Sequence, residues 1–208
     1  MTDVSAQLAQ QTPPSHDNPD ELFDLVDRED RVIGVVRRGE AHGNPALLHR
    51  SVQALVFNAA GELLLQRRSP AKDLFPGYWC ASASGHVDRG EEYAAAAARE
   101  LHEELGVTLD ASDLMYLGKT LVVSEPETEI TAVFLTRADG PFVFHPTETV
   151  GGAFYALATI AADRAAGVAG ALPLTPALLA ALDLLMTQHR AVSSRFLSAM
   201  CPDMDFPL

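Results

Sequence analysis

The chain reads as an α+β fold, an α/β/α sandwich in which helices flank a mixed, largely antiparallel sheet. Three observations predict it. Short apolar runs bounded by turn residues recur through most of the sequence, an alanine-rich acidic helix interrupts them once, and helical apolar spacing returns near the end.

In order, Leu22–Val26 and Arg31–Val36 read as a strand pair around the turn Asp27-Arg28-Glu29-Asp30. Ser51–Asn58 and Glu62–Arg67 read as a second hairpin, joined through Ala59-Ala60-Gly61. Tyr78–Ser84 leads into a helix over Glu91–Leu105, rich in alanine, the strongest helix former. Glu91 and Glu92 would occupy its first turn, against the positive end of the helix dipole, and Gly106 would end it with a positive φ. Leu114–Val123 and Glu129–Thr136 form a further pair, followed by extended segments at Phe142–Phe144 and Ala153–Leu157. Helices near Thr159–Ala166 and Pro176–Arg190 close the chain. In the second of these, Leu178, Leu179, Leu182, Leu184, Leu185 and Met186 make an apolar stripe that reads as core.

The 208 residues, 48% hydrophobic and 21% charged, suit one domain, which we place at residues 21–192. The Gln-, Pro- and Asp-rich segment 1–20 reads as a flexible tail, with no signal-peptide core. Residues 193–208 read as a C-terminal tail that packs over the site or against the mate in a homodimer. A net charge of −13 argues against nucleic acid or an anionic membrane as partner, and no run of 18 apolar residues offers a membrane span. Two cysteines make no disulfide framework, so a cytoplasmic location is expected.

The most informative stretch is Gly85-His86-Val87-Asp88-Arg89-Gly90-Glu91, then seven residues, then Arg99-Glu100-Leu101-His102-Glu103-Glu104-Leu105-Gly106-Val107. At 100° per residue, Glu100, Glu103 and Glu104 fall within an arc of about 100° on one helix side. Carboxylates so crowded raise each other's pKa unless a cation sits among them. Hard oxygen ligands with no thiolate beside them suit Mg²⁺ or Mn²⁺. Arg99 stands eight residues after Glu91, so the two can pair only if Glu91 bends back from the loop. The bland alternative is a solvated acidic helix face, which would not need the glycine loop, Arg99 and Gly106 in register.

This stretch resembles the Nudix box at every defining position. The resemblance implies metal-dependent hydrolysis of a diphosphate linked to another group. It implies that the Gly85 carbonyl with Glu100, Glu103 and Glu104 holds the metal, and that Arg99 pairs with Glu91 to fix the loop. Glu103 is the first choice of base; Glu148, in Thr147-Glu148-Thr149-Val150, is the alternative from a later loop.

A second constellation lies outside the box: His42, His49, His86, Glu127 and Glu129, with the two Glu on one face if their run is a strand. Spacing alone would not single it out, because seven histidines in 208 residues make pairs by chance. From about Glu40 to Phe154, however, the chain is similar to type 1 isopentenyl diphosphate isomerases, themselves Nudix-fold enzymes. Leu48-His49-Arg50, Arg67-Arg68, Phe75-Pro76-Gly77-Tyr78-Trp79 and Gly85-His86 carry the likeness. It implies that the His/Glu set can hold a second divalent metal, Mn²⁺, Zn²⁺ or Fe²⁺, and that Arg38, Arg68 and Lys72 grip a diphosphate.

Two departures weigh against isomerase chemistry. Ser84 stands where the isomerases carry a catalytic Cys, and Ala177 stands where they carry a sheltering Trp. A hydroxyl is a poorer proton donor than a thiol. Conversely, the hydrolase box is whole. The expectation is therefore a diphosphate hydrolase acting on a small molecule, with allylic isomerisation or a non-catalytic diphosphate sensor as alternatives. Phe75, Tyr78, Trp79 and Tyr116 are candidates to cover the group beyond the diphosphate.

Overall fold

Strand β3 (His49–Phe57) is the spine of the sheet in the computed structural model, which describes residues 18–72, 74–125, 127–166 and 172–192. Along its whole length β3 pairs in parallel with β8 (Thr128–Arg137), from His49 opposite Glu129 to Phe57 opposite Arg137. On its other side lies β6 (Ala83–His86), antiparallel, with Ser51 opposite His86 and Gln53 opposite Ser84. Strand β7 (Met115–Val123) extends the sheet beyond β8.

The expected hairpin of β3 with β4 (Leu63–Arg68) exists only at its mouth, at Phe57 and Leu63. Beyond it the strands part. Strand β4 instead pairs with β5 (Trp79–Cys80) and with β9 (Thr149–Tyr155). A separate two-stranded sheet, β1 (Leu22–Val26) with β2 (Val32–Arg37), is the expected antiparallel pair around the 27–30 turn, its second strand one residue later than read.

Alternation along β3 places one core on each face of the sheet. Val52, Ala54 and Val56 pack with Ala96, Ala97, Leu101 and Leu105 of helix α2 (Tyr93–Leu105). Leu55 and Phe57 pack with Leu178, Ala181, Leu182 and Leu185. Those four belong to α4 (Pro176–Val192), so the stripe read as core is core. Burial of this kind contributes about 25 cal/mol per Å² of apolar surface.

Several elements differ from expectation. Helix α2 begins at Tyr93 rather than Glu91, because Glu92 is extended (φ −86°, ψ 144°) and the Glu91 side chain is turned to Arg99 and the Asp88 amide. Phe142–Phe144 is not a strand. Its rings cluster with Phe154, while the Val143 and His145 amides cap the carbonyls of Leu105 and Glu104 at the end of α2. Strand β9 starts four residues earlier than read, hidden by two glycines; a Cβ on Gly152 would meet the Leu65 carbonyl at 2.8 Å. Its last expected residue, Leu157, instead opens α3 (Leu157–Ala165). A short helix, α1 (Arg38–Ala41), was not anticipated; it delivers His42 at its C-terminal end.

Residues 18–20 already contact the body. Asp20 bridges Arg37 at 2.6 Å, and the Pro19 carbonyl accepts from Gly39 at 3.0 Å. The tail assigned to 193–208 lies outside the described residues.

Candidate active site

Arg99 is the hub of the box. It donates Nε to Glu91 Oε1 at 3.1 Å and Nη2 to Glu91 Oε2 at 2.9 Å, a two-pronged grip on the loop. Glu91 does bend back from the loop. The same Nη2 holds the His86 carbonyl at 2.9 Å, and Nη1 holds Glu100 at 2.6 Å and Glu103 at 3.2 Å. Glu100 lies against Gly85, where a Cβ would come within 2.0 Å of its carboxylate. Glu104 accepts from Gln66 Nε2 at 2.6 Å, and that amide also bonds the Ser82 carbonyl.

These carboxyls are held in an uncomfortable place. Burial pushes Glu100 up to about 7, against the pull of Arg99, with Glu103 and Glu91 adding repulsion. Burial also raises Glu104 well above the usual carboxylate range, and the charges of Glu100 and Glu148 reinforce the rise. A divalent cation among them would reverse both effects, and the oxygen-only donor set fits Mg²⁺ or Mn²⁺.

The second constellation also assembles. Ligand atoms of His42, His49, His86 and Glu127 lie within 4.8 Å of one another. His42 Nε2 is 3.1 Å from His86 Nε2 and 3.2 Å from Glu127. Glu129 reaches His86 at 3.3 Å and His49 at 3.7 Å. Glu127 lies in the turn before β8, its amide bonded to the Ser124 carbonyl, rather than on the strand itself. Burial, with the neighbouring imidazole charge of His86, holds His42 down to about 3 and His49 to about 4. Both rings are therefore neutral, as ligands must be. His49 Nδ1 faces the Leu47 carbonyl at 3.2 Å, which leaves Nε2 as its free lone pair. Buried His49 Nε2 and Glu127 Oε2 have no hydrogen-bond partner. Three imidazoles with carboxylates fit a borderline divalent ion. Phe23, which the sequence did not flag, stacks on His49 and His86 at 5.2 and 4.6 Å and fixes their planes.

Both constellations open on one cavity of about 380 Å³, at the place where β3 and β4 part. Arg38, Arg68, Lys72 and Glu148 line it too. Arg38 bonds His86 Nδ1 at 3.2 Å and Glu21 at 3.1 Å; Arg68 bonds the Leu74 carbonyl at 3.0 Å; Lys72 bridges Glu148 at 2.8 Å. Glu103 sits beside Arg99, outside the cavity lining. Of the aromatic candidates only Phe75 lines the cavity. Trp79 packs edge-on to Tyr155 in the core and Tyr116 packs on Phe134, while Tyr78 contacts Phe75 from outside. Cys80 is a cavity residue whose thiol burial pushes up to about 12, so it is an inert donor to the Gln66 carbonyl. Sequence reasoning missed Gln53 and Gln66, buried polar residues beside core apolar residues on β3 and β4. A glutamine within an alternating strand was the available signal.

The chain belongs to the Nudix family: the family model described as NUDIX domain matches residues 47–178. It is 36% identical over 154 residues to a Nudix hydrolase of Deinococcus radiodurans, covering 71% of this chain and 88% of that one. It is 42% identical over 91 residues to an isopentenyl-diphosphate Delta-isomerase of Nocardia farcinica, covering 44% of this chain and 52% of the relative. The match thus spans about half the length of that relative, as it does for a Pseudomonas aeruginosa Nudix hydrolase (51%). A Deinococcus radiodurans crystal structure superposes with TM-score 0.61 at 31% identity, covering 77% of this chain and 97% of that one. The chain thus has both hydrolase and isomerase relatives, as its two constellations lead one to expect.

Proposed function

We propose that this protein is a divalent-cation-dependent pyrophosphohydrolase that cleaves a phosphoanhydride in a small molecule by water attack at phosphorus. The observation that carries the reading is the buried, mutually repelling pair Glu100 and Glu104 beside a glycine that leaves room for one of them. Gly85 (by its carbonyl), Glu100, Glu103 and Glu104 are the residues that would hold Mg²⁺ or Mn²⁺. Such an ion neutralises charge on phosphate oxygens.

The remaining work falls to side chains. Arg38, Arg68 and Lys72 grip the diphosphate with local positive charge, which the chain's −13 net charge does not supply. Glu148 is the better-placed base, because it lines the cavity and Glu103 does not. Its contact with Lys72 orients the carboxylate. Glu103 then serves as a ligand and as a brace for Arg99. The catalytic unit is residues 21–192, acting on a soluble metabolite in the cytoplasm. Release of phosphate or a nucleoside monophosphate from a diphosphate panel with Mg²⁺ tests the reading; inactivity across the panel opposes it.

The convergence of His42, His49, His86, Glu127 and Glu129 favours a second reading, allylic isomerisation of isopentenyl diphosphate. Against it, Ser84 and Ala177 both line the cavity, so the missing thiol and indole are missing at the site itself. Solvent deuterium entering the five-carbon diphosphate would support isomerisation.

A further inference from the structure

Three residues among those described carry buried side-chain polar atoms with no hydrogen-bond partner: His49, Glu127 and Gln53. The first two belong to the His/Glu constellation, where a bound cation would account for them. Gln53 does not. Both Oε1 and Nε2 of its amide are unpartnered, the residue is 2% exposed, and it lines the cavity.

Its place on the sheet says what it faces. His49, Ser51 and Gln53 occupy alternate positions of β3, so their side chains share a face. Ser51 is satisfied by Thr131, hydroxyl to hydroxyl at 2.7 Å. The next residue on that face, Leu55, belongs to the core. Gln53 is therefore the inner end of a polar floor, about 13 Å along the strand from His49. Ser84, its register partner on β6, lies on the same face and also lines the cavity.

We propose that Gln53 reads the group attached to the diphosphate, and that this group is polar, with hydrogen-bond donor and acceptor atoms such as adjacent hydroxyls. This rests on the reading of the cavity as a diphosphate site. A primary amide offers two donors and a two-lone-pair acceptor. Left against a hydrocarbon chain it stays unpaired; against hydroxyls it is satisfied at both ends. A site built to hydrogen-bond a substrate group rejects the analogue that lacks it. The substrate class is thus a hydroxylated diphosphate ester, of which a diphosphate-linked sugar or ribose is an instance, and prenyl diphosphates are disfavoured.

The test compares wild type with Gln53→Met, which keeps length and removes the amide. Binding of 2,3-dihydroxypropyl and isopentyl methylenediphosphonates is measured by calorimetry with Mg²⁺, alongside the melting temperature of the unliganded proteins. Wild type should favour the dihydroxypropyl probe by about tenfold or more, and the variant should bring the ratio to about one or invert it. The unliganded variant should melt higher, because it no longer buries an unpaired amide. A wild-type preference for the isopentyl probe, binding of neither probe, an unchanged ratio in the variant, or a lower melting temperature would each overturn the assignment. Neither probe can be hydrolysed at its P–C–P bridge. If the dihydroxypropyl diphosphate is bound selectively yet never cleaved, the hydrolase reading fails while the role of Gln53 stands.

Discussion

Gly85 and Glu100 share one space: a Cβ on the glycine would lie 2.0 Å from Oε1 of the glutamate and 2.7 Å from Oε2. Strand β6 and helix α2 approach so closely there that a side chain on one excludes the carboxylate of the other. Gly85→Ala should therefore displace Glu100 and lower kcat/KM by about 100-fold or more, since small misplacement of a catalytic group is costly. Steady-state kinetics with Mg²⁺ checks this, and near-wild-type activity would show that Glu100 need not occupy that position.

Arg99 ties the loop, the helix and the His86 carbonyl together through a planar fork. Lysine carries the same charge but cannot make the paired bonds to Glu91. Arg99→Lys should lose about 1–2 kcal/mol of stability, between the values for exposed and buried pairs. It should also lose at least about tenfold in kcat/KM, because both constellations shift. Denaturant unfolding and kinetics on the same preparation separate the two effects.

Glu148 and Glu103 can be told apart by turnover. If Glu148 is the base, Glu148→Gln should reduce kcat by about 10²–10⁴ with little change in KM. Glu103→Gln should then weaken metal dependence more than it weakens kcat at saturating Mg²⁺. The opposite pattern would return the base to the helix.

The metal-free protein should show opposed pH dependences of stability. Glu100 and Glu127 sit near 7, raised from 4.5 chiefly by burial. Their contribution is present below about pH 4.5 and is lost as pH rises through 7. His42 and His49 sit near 3 and 4, lowered from 6.5 by burial. Theirs is present above 6.5 and is lost as pH falls through 4 to 3. Stability without metal should therefore decline on both sides of an interval between about pH 4.5 and 6.5. Divalent cations should raise the melting temperature most at pH 7 and above, where they relieve the carboxylates. Glu100→Gln should melt higher than wild type at pH 8 without metal, and no higher with it. Melting curves with and without chelator test both statements.

Much of this was legible beforehand because chemistry and local structure coincided. Gly106 ends α2 at φ 68°, and Glu100, Glu103 and Glu104 fall on one helix side because helical period alone puts them there. The histidine cluster was legible only through resemblance: its members come from α1, β3, β6 and the turn before β8, which no periodicity links. Long-range pairing explains the rest. That β3 and β4 part after a single pair depends on β6 and β9 competing for their edges. Gly151 and Gly152 concealed β9, and Phe142 and Phe144 suggested a strand where they instead join Phe154 in a ring cluster. Gln53 was passed over because a polar residue in a strand ordinarily faces water. Here it faces a cavity.

The most direct test of the central claim is Mg²⁺-dependent phosphate release from a reactive diphosphate by the Glu100→Gln/Glu104→Gln double variant, beside wild type. If these two carboxyls assemble the cation site, turnover should fall by at least about 10³-fold while the fold survives, the scale expected when a principal electrostatic element is removed. Turnover within a few fold of wild type, at the same Mg²⁺ concentration, would contradict the account.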